Sequence, residues 1–228
     1  SVHIGLFPEE SGEITYEIYS QSDSKSGEEN AEPVLHSQGA AQINQMNTAE
    51  EVPGLDIESL KAECGQKQFS SDECYETFAK IGLEYGAGHR GIEKIYVGEG
   101  RALAKLELPA SVSDTADQFI LHPGLTDSAL QASGLMIGGL AAGSGKPEPA
   151  LPFALERTEV FGGCASSMWA FVRYSEGSLP EDKVRKLDMD LCDEDGKVCV
   201  RMKGFTSRIQ ASEAESTGTL MLRPSWIE

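Results

Sequence analysis

Positive charge is scarce in this chain. Lys and Arg number 19 against 37 Asp and Glu, a formal net charge of −18 over 228 residues. A nucleic-acid binder needs cations to neutralise phosphates, so the balance argues against that class. An anionic membrane surface is disfavoured for the same reason. What the acidity does supply is solubility. Apolar runs long enough to span a bilayer are missing, as is a secretory leader, and a cytoplasmic setting is expected. The five cysteines (Cys64, Cys74, Cys164, Cys192 and Cys199) are scattered, with no CxxC pair. That removes the usual zinc spacing and suits a reducing compartment. An initiator Met is also lacking. The opening "SVHIGLFPEE" reads like the middle of a folded domain, so a piece of something longer is expected.

What is present is an ordinary globular pattern, 39% hydrophobic. "HIGLF" and "GEITYEIYS" read as strands, the second with Ile14, Tyr16 and Ile18 alternating against polar neighbours. Residues 34–43 read as a third strand after a polar loop at 21–33. The polar stretch 44–54, ending in Pro-Gly, is the best internal boundary. Two short helices follow, at 55–64 and 70–82, the second with Ser/Asp capping residues and Gly82 near its end. Residues 88–109 look like two strands around "GEG". A helix rich in small residues is expected over 124–143, with Leu130, Leu135, Met136 and Leu140 recurring along it. The rest reads as strands, the last pair joined at Asp195-Gly196 by a two-residue hairpin turn. A long helix wrapped by a curved antiparallel sheet is the hotdog arrangement.

The stretch "HPGLTDSALQ" (122–131) bears most directly on chemistry. Pro123 fixes φ and suits a helix start, and His122 before it must be extended. Asp127 and Gln131 are i and i+4, so they share a helix face. Two readings of that spacing stand. Asp127 could be an N-terminal capping or dipole-stabilising residue, with Gln131 solvated. Or Asp127 is a carboxylic acid in an apolar pocket, oriented by Gln131. Burial would raise its pKa and let it hand over a proton.

The same stretch resembles the HPxxxDxxxQ motif in the second hotdog of polyketide synthase dehydratase domains. "GLEYGAGHRGI" (82–92) is similar to that family's GxxYGPxFxGI motif. "EYGAGHRGIEKIYVGEGRALAKLELP" looks most like the branch whose modules lack their own acyltransferase, the trans-acyltransferase branch. "YEIYS", "LHSQGAAQI" and "LRPSWIE" also fit, so the resemblance covers nearly the whole chain. It implies an α+β double hotdog with the second hotdog complete and the first only partly present. Residues 1–46 would be the end of the first hotdog, 47–54 a linker, 55–210 the second hotdog and 211–228 a linker.

The activity implied is removal of water from a 3-hydroxyacyl chain held on the phosphopantetheine of an acyl carrier protein. By the resemblance Asp127 is the acid that protonates the departing hydroxyl, and Gln131 orients it. Tyr85, Gly86, His89, Pro123 and Leu125 would contact substrate. No metal or redox cofactor is implied. Expected partners are the carrier protein, neighbouring synthase domains and a second copy of the chain. A carrier-docking patch among Lys183, Arg185 and Lys186 is set against the plainer reading of a solvated loop. An isomerase, a pyran-forming cyclase and a non-catalytic scaffold of the same fold stay open.

There are departures from the pattern. Ala87 stands where the motif has proline, and His89 where it has phenylalanine. His89 is either a polar substrate contact or a structural histidine. The family's base is a histidine in an HxxxGxxxxP motif. The residues four positions beyond His3, His36, His89 and His122 are Phe7, Ala40, Glu93 and Thr126. None is glycine. The base-bearing segment is therefore absent from these residues, and the chain alone is expected to be impaired.

Overall fold

The computed structural model describes residues 1–20, 33–43, 54–139, 150–180, 182 and 184–209. The chain divides into two units, Ser1–Glu51 and Val52–Glu228. The polar stretch 21–32, most of the 44–54 boundary and everything from 210 lie outside the described residues.

The smaller unit is an antiparallel sheet of β1 (Val2–Pro8), β2 (Glu13–Ser20) and β3 (Val34–Gln42), in that order. Ile4 pairs with Ile18 and Leu6 with Tyr16, as the alternation in β2 requires. Tyr16 in turn pairs with Gly39. Its ring lies where a side chain on Gly39 would go, since a Cβ there would sit 2.7 Å from the ring. An aromatic ring covering a strand glycine is a common way to pin register.

The larger unit opens with α1 (Ile57–Cys64), β4 (Lys67–Ser70) and α2 (Ser71–Lys80). Next come β5 (Ile92–Gly98), β6 (Arg101–Glu107) and α3 (Pro123–Gly134). The chain closes with β7 (Ala150–Ala154), β8 (Arg157–Val160), β9 (Ser167–Tyr174), β10 (Lys186–Cys192) and β11 (Val198–Ile209). The sheet order is β4-β5-β6-β9-β10-β11-β7, and β8 pairs with the near half of β11. Every pairing is antiparallel. Helix α3 lies against β5, β6, β9 and β10. The expected 124–143 helix is shorter as an α-helix, because Leu135–Gly139 widens into a π-helical segment. Residues 140–149 lie outside the described residues.

Both faces of the sheet centre are covered. Ala102, Ala104, Leu106, Met168, Ala170 and Val172 face the core that α2 and α3 complete. Leu103, Trp169 and Phe171 alternate to the other face and pack with Ile57 and Cys64 of α1. A strand buried on both sides reads as a continuous apolar run, which is why β9 is "SMWAFVRY". Buried α3 residues are small on the sheet side, including Gly124, Ser128, Ala129, Ala132 and Ser133. That brings the helix close to the strands. A Cβ on Gly91 would lie 2.5 Å from Ser128 Oγ and 3.0 Å from Glu107 O.

The hairpin between β10 and β11 differs from the two-residue turn expected at Asp195-Gly196. The described residues include no non-glycine residue with positive φ, so Asp195 does not adopt the left-handed form that turn needs. Gly196 alone does, at φ 82°. Asp193 organises the loop instead, its Oδ1 accepting from Asp195 N at 3.1 Å and Lys197 N at 2.9 Å. A five-residue connection, 193–197, with one left-handed glycine suits the strand twist without a strained Asp.

Candidate functional site

Helix α2 delivers the first component. Ser70 caps it and forms a reciprocal capping box with Glu73. That satisfies orphan donors at both positions. Cys74, Tyr75 and Phe78 are its buried residues. The helix stops at Gly82, at φ 84°. Gly82 N donates to Ala79 O at 3.0 Å, and Leu83 N reaches back to Phe78 O at 3.0 Å. This is the Schellman geometry, which favours glycine at that point. The turn sends the chain into Tyr85, whose ring meets Phe78 edge-on at 5.0 Å and Tyr75 at 6.1 Å.

Helix α3 delivers the second. Its N-cap is His122, whose Nδ1 accepts from Gly124 N at 3.1 Å. His122 Nε2 lies 3.0 Å from Thr115 Oγ1. The neutral Nε2–H tautomer satisfies both contacts. His122 thus occupies the capping position that the structural reading gave to Asp127. Asp127 sits a turn further on and is free for another use.

What surrounds Asp127 is polar. Gln131 Nε2 donates to Asp127 Oδ2 at 2.8 Å. His89 Nδ1, from a short 3-10 turn at Ala87–His89, lies 3.1 Å from the same oxygen. Gln131 is buried, and its Nε2 also donates to His89 O at 2.8 Å. Tyr75 Oη donates to Gln131 Oε1 at 3.1 Å, and Ile92 N donates to Tyr75 Oη at 3.0 Å. Burial pushes the Tyr75 hydroxyl up to about 12, and burial together with the Asp127 charge raises that of Tyr85.

The expected setting of the acid was an apolar pocket; within this chain the Asp127 side chain is 36% exposed and that of His89 54%. Among the other expected contacts, Tyr85 is half-buried, Gly86 and Pro123 are exposed, and Leu125 is packed into the core. His3 stacks on Tyr19, and His36 Nε2 lies 2.8 Å from Ser20 Oγ. Lys183 falls outside the described residues, and Lys186 is paired with Glu156. Tyr75 was not anticipated. Its only sequence signal is an aromatic on the buried face of a short helix, which any core residue would give.

The letters "GAGHRG" at 86–91 match the glycine spacing of a dinucleotide fingerprint. They precede a strand, however, and that fingerprint must follow a strand and open a helix. Among the described residues no helix is long and apolar enough to cross a membrane.

Comparison with known proteins places this arrangement among relatives. The family model described as polyketide synthase dehydratase N-terminal domain matches residues 53–217. Polyketide synthase PksN of Bacillus subtilis is 46% identical over 99% of this chain, which spans 4% of that protein. PksL of the same organism is 42% identical over 100% of this chain, here 5% of its length. A trans-AT polyketide synthase dehydratase domain from Brevibacillus brevis is 49% identical with a TM-score of 0.79. That match covers 92% of this chain and 69% of the other. The dehydratase of the CurF module of curacin polyketide synthase shares the fold, at 23% identity and a TM-score of 0.74 over 92% of this chain and 69% of that one.

Proposed function

Because this chain belongs to the polyketide synthase dehydratase family, we propose that it removes water from a 3-hydroxyacyl thioester, with Asp127 as the general acid. The observation that carries the reading is the hydrogen bond from buried Gln131 to Asp127 Oδ2, away from the helix cap, which His122 fills. A carboxyl so held can protonate a departing hydroxyl while a base takes the C2 proton. Atoms balance as one C–H and one C–O bond broken, one C=C formed and one water released.

The acyl chain would arrive on the phosphopantetheine arm of an acyl carrier protein, within a synthase of the trans-acyltransferase type. Neighbouring synthase domains and a second copy of the chain are the further partners. The step as written calls for no metal or redox cofactor. The smaller unit is the end of a first hotdog and the larger unit a complete second one. None of His3, His36, His89 and His122 has glycine four positions on, so none supplies the family's base pattern within these residues. The fragment alone is therefore slow, by about 10²–10⁴-fold for a missing acid–base partner.

The test is a dehydration assay on the dehydratase within its intact polypeptide, with a 3-hydroxyacyl group loaded on carrier protein and water loss followed by intact mass. Asp127→Asn should lower the rate by about 10²-fold or more and leave the 3-hydroxy species accumulating. Normal water loss by that variant would sink the assignment and favour a scaffold.

A further inference from the structure

We propose that Tyr75, on α2 and outside both sequence motifs, is a positioning residue for this elimination, acting through Gln131 so that Asp127 delivers its proton from Oδ1. The inference rests on Asp127 being the acid.

The hydrogen bonds have a fixed direction. Ile92 N–H donates to Tyr75 Oη, at 3.0 Å. The phenol's single proton is left to donate, and Gln131 Oε1 at 3.1 Å can only accept it. The same proton has His89 O as a longer neighbour at 3.4 Å. With Oε1 turned to Tyr75, the Gln131 amide nitrogen faces the other way. Its two N–H groups meet two acceptors, His89 O and Asp127 Oδ2, both at 2.8 Å. A flipped amide would set its carbonyl against both acceptors, so the orientation follows from the network.

The consequence falls on one atom of Asp127. Oδ2 receives the Gln131 N–H and faces His89 Nδ1 at 3.1 Å. Among the described residues no hydrogen bond reaches Oδ1. A proton on Oδ2 would oppose the Gln131 hydrogen already aimed there, which favours Oδ1 as its seat. When the Oδ1–H bond breaks and that proton goes to the substrate hydroxyl, the charge left behind is met at Oδ2 by the Gln131 donor already in place.

Packing alone does not call for a tyrosine here. Its ring contacts Phe78 and Tyr85, with the Arg90 guanidinium 5.2 Å from its centroid. A phenylalanine would make all of these contacts. The titratable or charged groups around the network are Cys74, Tyr85, His89, Arg90 and Asp127.

The experiment compares wild type, Tyr75→Phe and Asp127→Asn in the intact polypeptide. Tyr75→Phe should lower kcat about 10- to 100-fold with KM unchanged, the signature of a misplaced reacting group. A second arm makes Tyr75→Phe in a Gln131→Ala background, where a residue acting through Gln131 should cost nothing further. A wild-type kcat in Tyr75→Phe, or the same further loss in the Gln131→Ala background, overturns the inference while Asp127→Asn is inactive. An active Asp127→Asn overturns the reading beneath it instead.

Discussion

Gly91 shows how a motif glycine earns its place at the residue scale. It sits where α3 approaches the sheet, and a Cβ would lie 2.5 Å from Ser128 Oγ and 3.0 Å from Glu107 O. The Ser128 contact can give way, while the backbone carbonyl cannot. Gly91→Ala should therefore cost about 1–3 kcal/mol, the usual range for overpacking. Combining it with Ser128→Ala should recover part of that loss, and denaturant melts of the four proteins in the cycle would measure it. No recovery would place the strain at Glu107 O alone. The candidate site was legible in the sequence to this same depth. Asp127 and Gln131 share a face by spacing, and the structure joins them directly. His89 carried two readings, and its ring is found against Asp127. Tyr75 was hidden because hydrogen bonds to residues 56 and 17 positions away leave no local pattern.

Elements were most legible where backbone chemistry is local. The Ser70–Glu73 box and the Gly82 stop bound α2 as their residue types require. Turn type was less so. Asp-Gly between strands suggests a two-residue turn, yet Asp193 supplies a side-chain acceptor that draws the loop into a longer form. Gly196 is also pinned from outside, since Leu55 N donates to Gly196 O at 2.8 Å and a Cβ on Gly196 would lie 2.0 Å from Leu55 O. The two loop residues should then respond differently. Asp195→Ala should change stability by less than about 0.5 kcal/mol, as for a surface substitution. Gly196→Ala should cost more than about 1 kcal/mol through the left-handed backbone and the Leu55 clash. Equal losses in thermal melts would mean that Asp195 bears the turn strain after all. The strand β4 went unread because four residues between two helices carry no period to detect.

For the larger unit as a whole, the question is whether the layers on the two faces of its sheet open together. The cysteines report on both. Cys64 and Cys192 belong to the layer under α1, and Cys74 to the layer under α2 and α3. All three are fully buried. Burial pushes the Cys64 thiol up to about 11 and those of Cys74 and Cys192 up to about 12. The nucleophile in alkylation is the thiolate, so these groups should resist iodoacetamide at about pH 8 while the unit is folded. Strands β6 and β9 send alternate side chains into each layer, which ties one layer's packing to the other's. Opening either face would strip contacts from the same two strands. Labelling across a urea series, read site by site by mass spectrometry, should give one common midpoint for Cys64, Cys74 and Cys192. Earlier labelling of Cys64 and Cys192 would mean that α1 detaches before the helix bearing Asp127 is disturbed, and the shared strands would not be enough to couple the two faces.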